Sequence, residues 1–466
     1  MPDNSSSPRN EASPTPDPAT PTLFPLPLPT ELQSQSPFVS PAVGSTPADP
    51  KRGVRLREAQ RSQICWGRID LGATLANDHP ARAIWAVVER LNLSELYAEI
   101  ESRNEVAGTP AIDPKIPLAL WIYATSEGEG SARELWRLTR MHDAYRWICG
   151  GVDIGYHTLS DFRSQQTKVI DDLITQVLGL LMQQNLVDLS RVAQDGTRVR
   201  ASAGASSFRR AETLAELMVE ARAHLEAVTR EATDPAISAG RAAARKRGAR
   251  ERLARLEAAL QQVPAVTETK KRSGAKDVTV RVSTTDPEAR VMKMGDGGFR
   301  PAFNIQFATT PDQARAIVGV DVNNMGSDMG QSTPMLDQIE KRTGVRPAEM
   351  LIDGGYAQHD AIDHAAEHGT TVYAPVPKPR EGDNRDPHAP REGDSAAVGA
   401  WRKRMGTDEA KAIYKQRAAT AETVNADAKQ HRGLDGLSVR GRNKALGSAC
   451  LFALTYNVLR LLSLGS

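Results

Sequence analysis

Paired cysteines, nucleotide-binding loops and membrane spans are all missing from this sequence. The three cysteines, Cys65, Cys149 and Cys450, are far apart, and none belongs to a CxxC pair. This spacing argues against a disulfide scaffold and a structural zinc site, and it favours a reducing, cytoplasmic location. No GxxxxGK stretch followed by Ser or Thr is present, so the sequence implies no ATP-dependent step.

Neither end of the chain has the pattern of a membrane segment. The N-terminus lacks a basic region followed by an apolar core, so no signal peptide is expected. The most apolar run, residues 449–464, contains Thr455, Asn457 and Arg460. We expect this run to be too short and too polar to cross a bilayer. The net charge is only +2, so a basic surface has to come from local segregation of charge.

Length and composition divide the chain into three parts. Its 466 residues are too many for a single core. Residues 1–50 are rich in Pro, Ser, Thr and Asp and have few large apolar side chains, which predicts a disordered tail. Residues 51–186 begin with a basic segment and then show helical periodicity, whereas residues 187–466 mix strand and helix patterns.

The helical part, residues 51–186, has the features of a DNA-binding domain. Apolar residues recur at three- and four-residue spacing over residues 83–91 and again over 170–181. Ser131 and Glu134 predict a capping box at the start of another helix. Arginines expected on exposed helix faces make DNA contact plausible; they are Arg133, Arg137, Arg140, Arg146 and Arg163.

Residues 209–276 predict a helical hairpin inserted into the α/β part. Leucines at near-heptad spacing occur in both arms, and Asp234-Pro235 separates the arms. Between residues 241 and 257 the second arm carries seven basic residues against two acids. Such a local excess of positive charge favours binding to the nucleic-acid backbone. The cations we expect to contact DNA there are Arg245, Lys246 and Arg247.

Two acids lie at the ends of predicted strands. Asp195 is expected near the end of one strand, with Gly196 marking a bend just after it. Asp353 ends a second strand of the buried type, and a β-hairpin over residues 299–322 is predicted between the two. Beyond Asp195, two cations are placed to meet a polyanion, Arg198 and Arg200. Two further acids flank a strand end and are kept as weaker candidates, Asp321 and Asp328.

A third acid is expected from a late helix, because three carboxylates suit a pair of hard cations. Glu422 lies in a predicted helix with Tyr414, Arg417 and Lys429 at roughly helical spacing. Mg²⁺ and Mn²⁺ prefer oxygen ligands. Two such ions held by the three acids would activate a water or a 3′-hydroxyl and stabilise the leaving oxygen in a phosphoryl transfer.

These residues resemble those of the DDE transposases of bacterial insertion sequences. The resemblance extends over about residues 60–464, and in that family the spacing from the Arg to the Glu often has one residue fewer. The similar stretches are Asp195-Gly196-Thr197, Asp353-Gly354-Gly355-Tyr356, the series Tyr414, Arg417, Glu422 and Lys429, residues 147–152 and 156–163, and Tyr456-Asn457.

The resemblance implies a fold and a reaction. The fold is α/β: an RNase H-like mixed-sheet catalytic domain over 187–466 with the helical insertion, preceded by the all-α domain and the disordered tail. The reaction is Mg²⁺-dependent cleavage at terminal inverted repeats, followed by strand transfer of double-stranded element ends into target DNA. Tyr414, Arg417 and Lys429 would contact DNA phosphates. Joining two ends implies at least a homodimer in a synaptic complex, in the cytoplasm and on the nucleoid when bound to DNA.

Parts of the sequence also match three other functions. Asp195-Gly196-Thr197 also occurs in haloacid-dehalogenase phosphatases, but the position of their nucleophile is Ala193 here, which excludes them. An RNase H-like nuclease without strand transfer stays open, although the helical region favours recognition of element ends. A domesticated, non-catalytic DNA-binding protein also stays open, and the presence of all three acids argues against it.

Overall fold

The computed structural model describes residues 70–100, 110–232, 238–272, 274, 279–379 and 385–465. All of these residues belong to one structural unit, Arg68–Ser466. The predicted tail (1–50) and the basic segment after it (51–66) lie outside the described residues, so both remain predictions.

Seven helices form the N-terminal part of the described structure. The third is buried on every side, and the side chains of Leu118, Leu120 and Trp121 have no exposed area. A helix that is apolar all round belongs inside a core. The seven are α1 (Pro80–Arg90), α2 (Ser94–Ala98), α3 (Lys115–Ser126), α4 (Ala132–Met141), α5 (Asp143–Cys149), α6 (Tyr156–Gln165) and α7 (Thr167–Gln183).

One of the arginines expected on the surface is instead part of this core. Arg163 is 6% exposed. Its guanidinium lies 4.4 Å from the ring centroid of Trp121 and donates to the carbonyl of Gly130. The expectation that Arg163 contacts DNA is therefore wrong, because a long side chain near the end of α6 reaches inward to cover an aromatic ring.

A six-stranded mixed sheet follows the helices. In chain order the strands are β1 (Arg191–Arg200), β2 (Phe208–Arg209), β3 (Val282–Ser283), β4 (Arg290–Lys293), β5 (Phe299–Thr309), β6 (Ile317–Asn323), β7 (Glu349–Leu351) and β8 (Thr371–Tyr373). The order in the sheet is β4-β5-β1-β7-β8, and β6 also pairs with β5. β2 and β3 form a separate two-stranded sheet.

The sheet has an antiparallel half and a parallel half. β5 is antiparallel to β1, β4 and β6, which confirms the predicted hairpin of β5 and β6. β1 pairs with β7 in parallel, and β7 pairs with β8 in parallel. Parallel neighbours need crossover connections. The long connection from β1 to β7 ends with α10 (Ser332–Thr343), which lies between β6 and β7, and α11 (His359–Glu367) connects β7 to β8.

Two long helices lie between β2 and β3. They are α8 (Ala211–Glu231) and α9 (Ala239–Arg272), and residues 233–237 between them lie outside the described range. The two helices share a small core of their own that includes Leu214, Ala221 and Leu256. The near-heptad leucines thus pack helix against helix instead of against the sheet.

The last part of the chain is helical. Residues 377–398 are rich in Pro, Gly and charged residues, a composition that predicts a mobile loop. In the structure, however, Ser395 caps a helix there and Trp401 is buried. Asp394 and Arg402 form an ion pair at 2.8 Å with both side chains 5% exposed, which is the reason that the expectation is wrong for this end of the segment. The helices are α12 (Ala396–Met405), α13 (Asp408–Arg417), α14 (Thr423–Gln430) and α15 (Arg442–Leu464), and a π-helical turn, Ala418–Glu422, joins α13 to α14.

α15 is the central packing helix of the C-terminal part. It contacts α3, α6 and α7 on one side and β5 and β6 on the other. By length and composition it is long and apolar enough to cross a membrane, and 72% of its apolar window is buried inside the protein. The expectation that this run is too short and too polar is therefore wrong, and its apolar character is used in the core.

Candidate active site

Two of the predicted acids are level with each other on neighbouring strands. β1 and β7 run parallel, and their register pairs Ala193 with Leu351. Asp195 and Asp353 each lie two residues further along, where β7 has ended. Neighbouring strands are about 4.8 Å apart, and residues two positions apart on a strand point to the same face. The parallel pair therefore brings together two acids that are distant in the sequence.

The sequence predicted a bend at Gly196, but β1 does not bend there. The strand continues to Arg200, and Gly196 pairs with Gln306 on β5. A Cβ atom at Gly196 would lie 2.3 Å from Asp328 Oδ1 and 2.3 Å from Gln306 Nε2. The prediction of a bend is wrong, because the glycine is there to admit two neighbouring side chains.

Two side chains from the C-terminal helices hold the Asp195 carboxylate. Arg417 Nη2 donates to Oδ1 at 2.9 Å, and Asn425 Nδ2 donates to Oδ2 at 3.0 Å. Burial raises the pKa of Asp195 above its usual range, and the Arg417 guanidinium offsets this only in part. The charged carboxylate is therefore poorly compensated where it lies, so further positive charge beside it would be stabilising.

Arg417 connects the third predicted acid to the first two. Its Nη1 lies 3.3 Å from Glu422 Oε1, while its Nη2 contacts Asp195. Burial lowers the pKa of Arg417, but Asp195, Tyr414, Asp353 and Glu422 together raise it above its usual value. All three predicted acids therefore act on one guanidinium.

The π-helical turn Ala418–Glu422 accounts for the unusual spacing of this segment. Arg417 and Glu422 are five positions apart, which in a regular α-helix turns the second residue about 140° away from the first. In a π turn residues i and i+5 are hydrogen-bonded neighbours. The extra residue between Arg417 and Glu422 is absorbed in this way, and the two side chains stay in contact.

Asp353 and Tyr414 are the remaining predicted residues near Asp195, Arg417 and Glu422. Asp353 is exposed, and its Oδ1 accepts from the Gly354 N–H at 2.6 Å. Burial raises the pKa of Tyr414, the Arg417 charge lowers it, and three carboxylates led by Asp353 raise it further. The Tyr414 phenol thus lies within electrostatic reach of every predicted acid.

Sequence reasoning missed a layer of buried amides behind the acids. Asn304 and Gln306 have no exposed area, and each donates to Asp328 Oδ1 at 2.7 Å. Tyr356 donates its hydroxyl proton to Gln306. Alternation of polar and apolar residues in β5 suggested a solvent face, and a period of two cannot distinguish that face from a buried polar layer.

Of the cations predicted near the acids, Arg417 contacts Asp195 directly, and Lys429 lies within electrostatic reach of both Asp195 and Arg198. Burial lowers the pKa of Lys429, and the neighbouring Arg198 charge lowers it further, while Asp195 acts in the opposite direction. Arg198 itself lies 3.9 Å from Asp328 and donates to the Gly326 carbonyl at 2.9 Å. Arg200 is engaged elsewhere, in an ion pair with Asp435.

The three hairpin cations have no hydrogen bond or ion pair to these acids. Arg245 contacts Glu231 across the hairpin at 2.7 Å. Lys246 and Arg247 have no ion pair within the described part of the chain, and Arg247 is exposed. The structure therefore does not join the hairpin cations to the three acids through any of these contacts.

The donor atoms fit a hard divalent cation, although their arrangement is not yet that of a ligand set. Among the described residues no group of three or more His, Cys, Asp or Glu side chains is placed to hold a metal ion. The donors are carboxylate oxygens, which hard cations prefer. The Oδ1 of Asn425 is also buried and has no hydrogen-bond partner among the described residues. The Arg417 guanidinium lies between Asp195 and Glu422 and sets their spacing.

Two family models match the chain. A transposase domain (DUF772) matches residues 69–165, and a transposase DDE domain matches residues 384–462. The second match includes Arg417 and Glu422 but not Asp195 or Asp353. No curated protein and no solved structure matches the sequence.

Proposed function

Because the chain is a DDE transposase of the insertion-sequence type, we propose that it binds terminal inverted repeats and catalyses DNA strand cleavage and strand transfer. The proposed catalytic residues are Asp195, Asp353 and Glu422. The observation that supports this assignment is the position of the three acids: Arg417 contacts Asp195 at 2.9 Å and Glu422 at 3.3 Å, and the parallel register of β1 and β7 sets Asp353 level with Asp195.

The same three acids would hold two Mg²⁺ or Mn²⁺ ions. Such ions, when bound, lower the pKa of water and stabilise the leaving oxygen of a phosphoryl transfer. Asn425 and Arg417 orient the Asp195 carboxylate through its two oxygens. The cost of burying Asp195 as a charged group favours a cation beside it.

The cations beside the acids would receive the DNA backbone. Lys429 is half-buried, and the like charge of Arg198 disfavours its protonated form. A phosphate between two such cations removes their repulsion and makes charge-assisted hydrogen bonds. With Tyr414 and Arg417, this would place the scissile phosphate over Asp195.

We propose two domains within the single structural unit Arg68–Ser466. Residues 187–466 form an RNase H-like catalytic domain with the hairpin (209–276) inserted, and residues 51–186 form the DNA-binding domain. The mixed sheet supports this assignment. β5 is antiparallel to both β1 and β6, whereas β7 pairs in parallel with β1 and β8 pairs in parallel with β7. Synapsis of two ends requires at least a homodimer, and the buried free thiols of Cys149 and Cys450 suit the cytoplasm.

Binding to DNA should depend steeply on salt, since phosphate contacts release counterions. The exposed hairpin cation Arg247 should contribute more than Arg245, which already has a carboxylate partner. We expect Lys246→Ala together with Arg247→Ala to reduce the slope of log K against log salt by about 2. Arg245→Ala is the matched control and should reduce it less. Anisotropy titrations at several salt concentrations test this, and a flat salt response of the wild type would exclude a DNA-binding hairpin.

The π turn makes a prediction about single-residue deletions. Removal of Ala419 converts the π turn into regular helix and keeps α13 and α14 in register, so cleavage should stay within about tenfold of the wild type. Removal of Ala426 from α14 rotates Lys429 by about 100° and should reduce cleavage much more. Equal losses in the two deletion variants, both checked for folding by circular dichroism, would refute the role of the π turn.

Two alternatives are separated by one assay. A nuclease without strand transfer would cut end-containing duplexes but leave the 3′-hydroxyl unjoined to target DNA. A domesticated DNA-binding protein would bind without cutting. The transposase reading expects both cut and joined products, and short inverted repeats that flank the coding sequence.

A further inference from the structure

One face of α4, together with the start of α6, brings arginine side chains against two aromatic rings. The Arg140 guanidinium lies 4.5 Å from the ring centroid of Trp136, and the Arg133 guanidinium lies 5.4 Å from that of Tyr156. The two rings meet edge to face at 6.3 Å. They line an open depression of about 440 Å³ together with Ser131 and Glu134.

The local sequence explains why these side chains share a face. Ser131 caps α4 by accepting from the Glu134 N–H at 3.3 Å, and Ala132 and Leu135 are the buried residues of the helix. Residues at positions i, i+3, i+4 and i+7 lie on one side of a helix. The core therefore fixes the outward direction of Arg133, Trp136, Arg137 and Arg140.

The three arginines of this face differ in their partners. Glu134 holds Arg137 by two contacts of Nε, at 2.9 and 2.8 Å. Arg140 has only an exposed ion pair with Asp153 at 3.2 Å, which contributes little in water. Arg133 is exposed and has no ion pair within the described part of the chain. Two of the three guanidiniums thus rest on rings with most of their donors unused.

We infer that this face of α4 and α6 is a binding surface for the backbone of duplex DNA, an inference that rests on the proposed transposase function. A guanidinium lying on an aromatic ring is already oriented, so less conformational entropy is lost when it binds. The N–H groups at its edge still point outward and match the geometry of a phosphate. A duplex is the fitting partner because the guanidiniums lie over the Trp136 and Tyr156 rings, which a single-stranded base would need for stacking.

The test measures binding of a labelled duplex that carries the element end, using the full-length chain. The double variant Arg133→Ala/Arg140→Ala should bind about 10- to 100-fold more weakly and lose about 2 from the salt slope. Arg137→Ala should lose less than about threefold, because Glu134 already neutralises Arg137. Lys168→Ala, which removes an exposed, ion-paired cation on α7, should bind as the wild type does.

A variant that removes no charge tests the role of the rings. Trp136→Leu should weaken duplex binding several-fold, since Arg140 loses the ring that orients it. Melting temperatures confirm that each variant folds. Wild-type affinity of the double variant, an equal loss in Arg137→Ala, or tighter binding of single strands than of duplex would each overturn the inference. Failure of the wild type to bind any duplex would instead count against the proposed function.

Discussion

Asp195→Ala should reduce cleavage of an end-containing duplex by about a thousandfold or more while DNA affinity changes little. The variant removes the predicted acid whose two carboxylate oxygens accept hydrogen bonds from Arg417 and Asn425. A thousandfold loss corresponds to about 4 kcal/mol of transition-state stabilisation. Losses of this size are typical when one member of a cooperating catalytic group is removed. Single-turnover assays with Mg²⁺ measure the cleavage rate, and fluorescence anisotropy measures the DNA affinity.

Matched variants locate the effect. Asp353→Ala and Glu422→Ala should lose comparable activity, because all three acids serve one site. Asp360→Ala removes an exposed acid at the start of α11 and should cleave normally. Retained Mg²⁺-dependent cleavage in any of the three variants would remove that residue from the site, and a parallel loss of DNA affinity would mean that the acid organises binding instead.

Gly196→Ala should both destabilise the protein and abolish cleavage. The new Cβ would lie 2.3 Å from Asp328 Oδ1 and from Gln306 Nε2, so β1 or both side chains have to move. Overpacking of a buried site costs about 1–3 kcal/mol, and displacement of β1 moves Asp195 as well. Denaturant unfolding gives the stability change, and the cleavage assay gives the loss of activity.

The control for this variant is Gly355→Ala, two residues after Asp353, where an added Cβ meets no atom within 4 Å. That variant should be close to wild type in stability. A second measurement isolates the clash: in an Asp328→Ala background, Gly196→Ala should cost less by about 1 kcal/mol, since the two positions are in contact. A stable and active Gly196→Ala protein would show that the close approach is not needed.

The sequence allowed Asp195, Asp353 and their strands to be predicted, because each acid follows a short stretch with apolar residues and directly precedes a glycine. The strand order β1, β5, β6, β7 along the chain followed from the same alternation. The parallel register that places Asp195 beside Asp353 could not be predicted from the sequence, because pairing between strands so far apart in the chain leaves no local sequence signal. The helical arms of the hairpin were visible because leucine spacing is a local property.

Other features depend on side-chain partners and were read wrongly. Arg163 was expected on an exposed helix face, yet its guanidinium lies over the Trp121 ring in the core. Asn304 and Gln306 have the alternation of a solvent face and form a buried layer under Asp328. Gly196 looked like a bend because glycine permits several conformations, whereas here it provides space.

Replacement of each acid by cysteine tests most directly whether Asp195, Asp353 and Glu422 hold the catalytic metal ions. A thiolate is a soft ligand that binds Mg²⁺ poorly and Mn²⁺ better, whereas a carboxylate suits both. The experiment compares cleavage of an end-containing duplex by Asp195→Cys, Asp353→Cys and Glu422→Cys in the two metals. The account predicts that each variant is inactive with Mg²⁺ and regains cleavage with Mn²⁺. Cleavage at the wild-type rate with Mg²⁺ would contradict it.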